Sequence, residues 1–355
     1  MNILDQPEQW KRIDPRGMYD CIHGFGDQVE EAIAIGNAAD AGKVSKQKIR
    51  NIVVAGLGGS AIGGDLVRSY LTEFLKVPMI VVRDYVLPTF VDENSLVLVS
   101  SYSGDTEETL SAYGQASAVG AGIIAFTTGG ALAERAEADG HAVIKLPAGL
   151  MPRAALGYSF FPMLLVLHKL GMGPDPGEAL RETLSLLRDR SALLGAEVPT
   201  ADNPAKRIAL VWHNKVPIIY GGTIRFDAVA LRMKCQIAEN AKQLAFANVF
   251  PEFNHNELVG YGKTEHIKNR IAVCILRDQG DHRRTGFRMA IVRKMIADLG
   301  IPVEEIESVG KHPLARMYSV IQLGDYISFY MAILNEEDPT PIEAIDHLKR
   351  ELARR

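Results

Sequence analysis

The sequence predicts an α/β protein: two three-layer αβα sandwiches with parallel sheets, preceded by an N-terminal helical segment and closed by a C-terminal helix. Three observations carry this. From Ile52 onward, short apolar runs alternate with helical stretches of about 10–15 residues, the order that lays parallel strands under covering helices. The stretch Val216-Pro-Ile-Ile-Tyr-Gly-Gly-Thr223 repeats the strand, Gly-Gly, hydroxyl, helix order of Ile52 to Ser60, which reads as an internal duplication. And 355 residues with 47% hydrophobic content and 32 glycines suffice for a large core split between two domains.

The elements follow in order. Residues 1–50 form the helical segment, in which Asp27 to Ile35 has the spacing of an amphipathic helix lying across the domain that follows. The first sandwich, 51–195, takes strands at Ile52–Ala55, Met79–Val82, Leu96–Val99, Gly122–Phe126 and Ala142–Leu146. Helices are expected at Ala61–Leu75, Glu107–Val119 and Ala131–Asp139. After the turn-rich Pro147 to Gly157 come an apolar helix through Leu164, Leu167 and Leu170 and a charged one from Glu178 to Leu194. Asp202-Asn-Pro204 reads as a boundary turn. The second sandwich, 196–335, continues with strands at Val216, Ile271–Leu276 and Pro302–Ile306, a helix at Thr285–Leu299 and the apolar stretch Ser319–Leu334. In 336–355, Thr340-Pro-Ile-Glu343 carries the signature of a capped helix start: Thr340 as N-cap, Pro341 as first residue, Glu343 as reciprocal partner.

Two loops at expected strand ends carry chemistry. In Leu96-Val-Leu-Val-Ser-Ser-Tyr-Ser-Gly-Asp-Thr106, an apolar strand runs into Ser100, Ser101, Ser103 and Thr106 at a helix start. Hydroxyls together with unpaired helix N–H groups bind a phosphate without a lysine. The competing reading is a plain cap by Ser103 and Thr106, with Glu107 and Glu108 favourable in the first turn. The second loop, Gly56-Leu-Gly-Gly-Ser60, nearly spells a dinucleotide fingerprint but has Ala61 where the third glycine belongs, and only Arg83-Asp84 offers an acidic residue at the next strand end. Gly58, Gly59 and Ser60 suit the close approach of a small sugar phosphate better.

Composition narrows the partners. A net charge of −4 and a pI near 6.2 leave no basic stripe for nucleic acid. No apolar run approaches the ~20 residues of a spanning helix, and Asp5, Glu8, Lys11 and Arg12 stand where a signal peptide needs apolar residues, so a cytoplasmic protein is expected. Cys21, Cys235 and Cys274 are too far apart for a metal knuckle and odd in number, and are read as reduced packing residues. With no His-Glu-x-x-His or His-x-His spacing, no metal site is expected, and no cofactor.

The two loops, together with Met151-Pro-Arg-Ala-Ala-Leu-Gly-Tyr-Ser159, Asn254-His-Asn-Glu257 and Gln322-Leu-Gly-Asp-Tyr326, form an ordered set. The chain resembles the bifunctional phosphoglucose/phosphomannose isomerases, which are built from two sugar-isomerase (SIS) domains. The resemblance implies a metal-independent aldose–ketose isomerase acting on hexose 6-phosphates, working as a homodimer with active sites shared between subunits. It assigns Ser101, Ser103 and Thr106 to the phosphate and Gly58, Gly59 and Ser60 to the sugar. Arg153 would stand near the reacting carbons, Glu239 would be the base, and His255 of the neighbouring subunit would open the ring. Lys349 would help at the ring oxygen, and Thr340 would fill the place where glucose-only enzymes carry a bulkier glutamine. These residue types suit the reaction: a carboxylate to move a proton between C2 and C1, a permanently charged guanidinium for the enediolate, and an imidazole titrating near pH ~6.5. Three rivals remain: a zinc-dependent isomerase, a phosphosugar-sensing regulator of the same fold, and an amino-sugar phosphate isomerase. The first lacks ligand spacing; the second would need a DNA-binding domain for which residues 1–50 are too short.

Overall fold

The computed structural model describes residues 2–42, 44, 49–352 and 354. The chain forms two compact units. One comprises Gly24–Ser185 with Lys311–Ala315; the other comprises Met1–His23, Leu186–Gly310 and Arg316–Arg355. Helix α1 (Met18–His23) therefore belongs to the second unit and α2 (Phe25–Ala38) to the first.

In the first unit, β1 (Asn51–Ala55), β2 (Met79–Val82), β3 (Ser95–Ser100), β4 (Gly122–Thr127) and β5 (Ala142–Lys145) build one parallel sheet in the order β2-β1-β3-β4-β5. The register pairs Val54 with Val81 on one side and with Leu98 on the other. Because side chains alternate across a strand, the apolar runs serve two layers at once. Val53, Val97, Val99, Ile123 and Ala125 pack with Ala112, Tyr113 and Ala116 of α4 (Glu107–Ala118) and with Leu132 and Ala136 of α5 (Gly130–Ala138). On the opposite face Val54 meets α3 (Gly58–Leu71), and α3 packs on α6 (Leu156–Lys169), which in turn packs on α2. This is an αβα sandwich, and the amphipathic N-terminal helix is part of it. Helix α7 (Gly177–Leu194) holds the division between the units.

In the second unit, β6 (Val216–Gly222), β7 (Phe246–Phe250), β8 (Ile271–Arg277) and β9 (Val303–Glu307) form a parallel sheet in the order β7-β6-β8-β9. One face packs Tyr220, Val273 and Ile275 against Met289, Val292 and Ile296 of α10 (Arg283–Ala297). The elements α8 (Pro204–Trp212), α9 (Asp227–Asn240), α11 (Pro313–Leu334) and α12 (Glu343–Leu352) complete the unit. The N-terminal segment is anchored here by Trp10, whose ring meets Tyr19, Phe329 and Tyr330, and by the fully buried Lys206, whose Nζ lies 5.6 Å from both the Trp10 and Tyr330 rings.

Three details differ from the sequence expectation. Asp202-Asn-Pro204 is a helix start: the Asn203 side chain accepts from the N–H groups of Ala205 and Lys206, and Pro204 is the first helical residue of α8. Strand β7 is an edge strand with Phe246 56% exposed, so it lacks the continuous apolar run that marks the buried strands. Helix α12 begins at Glu343, two residues beyond the expected first helical residue, Pro341. The Asp338 carboxylate takes the Thr340 N–H at 2.8 Å, and Ile342 O receives the first helical bonds, from Ile345 and Asp346. That side-chain turn holds Thr340 and Pro341 outside the helix, so Thr340 is not its cap.

Candidate active site

Both glycine- and hydroxyl-rich loops leave the C-terminal ends of β1 and β3, adjacent strands at the point where the sheet order reverses, the place where open parallel sheets bind ligands. The turn after β3 is held by its own backbone. Gly104 has φ +82°, and a Cβ there would stand 1.9 Å from Gly129 O, so only glycine lets the turn close against the β4 loop. Leu132 N donates to Gly104 O at 3.0 Å, and Ala131 N to the Asp105 carboxylate at 2.9 Å.

Within this turn the hydroxyls face one another. Ser101 Oγ, 2% exposed, accepts from Gly104 N and donates to Thr106 Oγ1, each at 3.1 Å, and Ser103 Oγ accepts from Asp105 N at 3.3 Å. Thr106 occupies the N-cap position of α4, yet its side chain makes no capping bond. The plain-cap reading therefore fails at Thr106, and the first amides of α4 stay directed at the turn, with the positive end of the helix dipole behind them. Ser60 Oγ accepts from Tyr102 N at 3.1 Å and ties this turn to the loop after β1.

The glycines of that loop divide their work. Gly58 has φ +52°, and among the described residues nothing lies within 4 Å of the position a Cβ would take, so its backbone is open to a ligand. Gly59 is covered instead: a Cβ would stand 2.5 Å from Pro152 O. The short 3-10 helix Pro152–Ala154 thus sits on the start of α3 and brings the buried Arg153, 4% exposed, beside the loop. Gln28 of α2 clamps this helix, donating to Ala154 O and accepting from Gly157 N, both at 2.7 Å. Gly58, Gly59, Ser60, Ser101, Ser103, Thr106 and Arg153 accordingly gather at one end of the first sheet. Sequence reasoning missed Gln28 and Tyr102, whose hydroxyl donates to Pro147 O at 2.7 Å.

The remaining candidates belong to the second unit. Glu239, half-buried, is the penultimate residue of α9 and opens onto a groove of about 470 Å³ lined also by Lys242, Asp338, Pro341 and Ile342. Lys242 closes the helix end, its Nζ donating to Glu239 O at 2.6 Å and to Pro339 O at 3.3 Å. Thr340, 4% exposed, lies in the segment that walls this groove. His255 ends the 3-10 helix Glu252–His255 and is exposed, as is Lys349 on α12; neither lines the groove. In the same short helix the buried Phe253 stacks on Tyr220 at 4.2 Å between ring centroids, which anchors the turn that carries the histidine.

The second sheet's own reversal point, between β6 and β8, holds a buried carboxylate. Asp278 Oδ1 accepts from Arg316 Nε at 2.7 Å and Ser308 Oγ at 2.6 Å, and Oδ2 from Arg225 at 3.2 Å and Gly280 N at 3.0 Å. Burial raises its pKa, but the bonds from Arg316 and Ser308 more than offset that and hold it below the ordinary value. At the end of β8 the second sheet therefore carries a carboxylate already held by the protein's own cations, where the first sheet carries a hydroxyl-rich turn.

Among the described residues no cluster of three or more His, Cys, Asp or Glu side chains is placed to hold a metal ion, and no helix is long and apolar enough to cross a membrane. Cys21, Cys235 and Cys274 are in the thiol form, not paired in disulfides.

Comparison with known proteins gives concordant results. Residues 45–169 match the SIS domain, and residues 201–352 match the bacterial phospho-glucose isomerase C-terminal SIS domain. A bifunctional phosphoglucose/phosphomannose isomerase of Caldicellulosiruptor bescii is 47% identical over 95% of this chain and 99% of its own. One of Aquifex aeolicus is 34% identical over 94% and 98%. A hypothetical protein of Thermus thermophilus shares the fold with a TM-score of 0.74, at 16% identity, over 99% of this chain and 93% of its own.

Proposed function

The chain belongs to the bifunctional phosphoglucose/phosphomannose isomerase family, and from that premise we propose that it interconverts glucose 6-phosphate and mannose 6-phosphate with fructose 6-phosphate through an enediolate, without a metal ion. The observation that carries the substrate class is the turn Ser101–Thr106: hydroxyls and uncapped helix amides around a rigid glycine turn form a seat for a phosphate monoester. Gly58 lends open backbone for the sugar, and Arg153 on its clamped helix supplies a fixed cation for the enediolate oxygens.

In this reading His255 and Lys349 move protons at the ring oxygen and O1 so that the ring opens. Glu239 then takes the proton from C2 of the aldose, the electron pair forms the C1–C2 double bond, and the C1 carbonyl becomes an enediolate oxygen. Returning the proton to C1, while the C2 hydroxyl gives up its own, yields the ketose. The planar intermediate has lost the C2 configuration, so one base serves glucose and mannose epimers once rotation about C2–C3 is allowed. Thr340 beside the groove leaves more room for this than a glutamine would. Proposed too are a homodimer in which His255 acts on the neighbouring subunit's substrate, a role its exposed position supports, and a cytoplasmic setting, which the reduced cysteines suit.

The test is a coupled assay with both aldose phosphates, with and without EDTA. Turnover of both, unchanged by the chelator, is expected; turnover of one sugar only, or loss on chelation with recovery on adding a divalent metal, would overturn the proposal.

A further inference from the structure

The motif Gln322-Leu-Gly-Asp-Tyr326 has no part in the chemistry above. It lies on α11, and its polar side chains are buried: Gln322 is 1% exposed and Asp325 7%. Buried polar groups need partners, and those of this motif identify what α11 holds. Gln322 donates to Leu187 O at 2.8 Å, securing α11 to α7, while Asp325 turns to α9.

On α9, Arg232, Gln236 and Asn240 recur at four-residue spacing and share one face. Arg232 Nη2 donates to both carboxylate oxygens of Asp325, at 3.0 and 2.8 Å, and Gln236 Nε2 to Oδ1 at 2.9 Å. One turn further along, Asn240 Nδ2 donates to Ser328 Oγ at 3.0 Å, and just beyond the helix Ala241 O accepts from Asn335 Nδ2 at 2.8 Å. Gly324 faces the Met233 side chain of α9, whose Cε and Cγ lie 2.8 and 3.2 Å from where a Cβ would stand. The result is a polar ladder between α9 and α11, from Arg232 to the end of α9, among buried apolar side chains such as Met233 and Ile237. Apolar packing tolerates sliding or rolling of one helix on another; a buried ion pair flanked by polar rungs does not, because a shift of one turn would leave Arg232 and Asp325 buried without each other.

Glu239 immediately precedes Asn240, the rung at the end of α9, so whatever fixes the rotation and axial position of that rung fixes the direction in which Glu239 leaves the helix toward its groove. We propose that Asp325, acting through Arg232 and Gln236, is a positioning residue that sets the register of α9 and thereby aims the Glu239 carboxylate at the substrate carbon. The inference rests on the reading of Glu239 as the base. It gives the motif its role: Asp325 sets the register, and Ser328, one turn on, holds the helix end nearest the base.

Three variants test it: Asp325→Asn, Arg232→Met/Asp325→Leu, and Glu239→Gln as the control. Asp325→Asn removes the counter-charge of a buried guanidinium, whereas the double variant removes both charges and replaces them with apolar volume, which folds at least as well as a buried ion pair in comparable sites. Misaiming a base by about 1 Å costs up to roughly 10²-fold in rate, so kcat is expected to fall about tenfold or more in both ladder variants. KM for glucose 6-phosphate should stay within about threefold of wild type, because the phosphate seat lies elsewhere. The isotope effect with C2-deuterated glucose 6-phosphate should grow in both, as proton abstraction becomes rate-limiting. The decisive combination is a double variant with a wild-type thermal midpoint and a kcat that remains low. Recovery of kcat together with the midpoint would show that the ladder only stabilises, and would overturn the inference. So would an inactive Glu239→Gln alongside wild-type kcat in both ladder variants. A fully active Glu239→Gln would instead remove the base assignment and the inference with it.

Discussion

Replacing Thr106 by Val is the sharpest probe of the phosphate seat. The change is nearly isosteric and removes one hydroxyl, half-buried at the helix start and engaged with Ser101 at 3.1 Å. Gly104 N keeps its bond to Ser101 Oγ at 3.1 Å and its bond to Ser101 O at 3.2 Å, so the turn survives. The loss to the free protein is then one neutral hydrogen bond, about 1 kcal/mol, or a few degrees in thermal midpoint. The loss to the complex is larger, because a hydrogen bond to a charged group contributes about 1.5–3 kcal/mol, which is roughly 10–10²-fold in affinity. The assay is the coupled isomerase reaction with each aldose phosphate in turn. KM should rise by that factor with kcat little changed, the pattern of lost uniform binding. The factor should also be the same for glucose 6-phosphate and mannose 6-phosphate, since the sugars differ at C2 and the hydroxyl reads C6. Unequal factors, or a KM that does not move while the midpoint falls, would refute placing the phosphate in this turn.

Two further outcomes follow from the second unit. Asp278→Asn should lower stability at pH 7 by about 3 kcal/mol, the low end for breaking a buried ion pair, because the amide still accepts some of the bonds. The Asp278 pKa is held below 3.8 in the folded state, so the charge contributes stability that is complete above that value and is lost as pH falls through the lowered one. Chemical denaturation across pH should therefore show the difference between wild type and Asp278→Asn constant near neutrality and shrinking only below about pH 4; a constant difference down to pH 2 would contradict the assignment. Mixing inactive His255→Ala with inactive Glu239→Gln subunits should restore activity if subunits share sites, and no recovery after demonstrated subunit exchange would place each site within one chain.

What could be read from the sequence was what is local in it. The strand–turn–helix grammar of Leu96 to Thr106 is written in adjacent residues, and so are the Gly58-Gly59 turn and the alternation that fixes the first sheet. The clamp of Gln28 on residues 154 and 157 was not legible, because its partners lie more than a hundred positions away and nothing in an amphipathic helix marks which polar residue will be buried. The same holds for the ladder between α9 and α11, where Arg232 meets Asp325 across 93 residues. At Thr340 the local rule failed for a local reason: Thr-Pro-Ile-Glu is a capping sequence, but Asp338 two residues earlier captures the Thr340 N–H first and moves the helix start to Glu343. Strand β7 escaped notice because an edge strand with exposed Phe246 carries no apolar run, and α8 because Asn-Pro marks turns and helix starts alike.

One residue bears the chemical claim. If a single carboxylate carries the proton between C1 and C2 for both epimers, Glu239→Gln must lower kcat on glucose 6-phosphate and on mannose 6-phosphate together, by about 10²-fold or more, while the protein keeps its thermal midpoint and still binds fructose 6-phosphate. Near-wild-type turnover of either sugar by that variant would contradict the account.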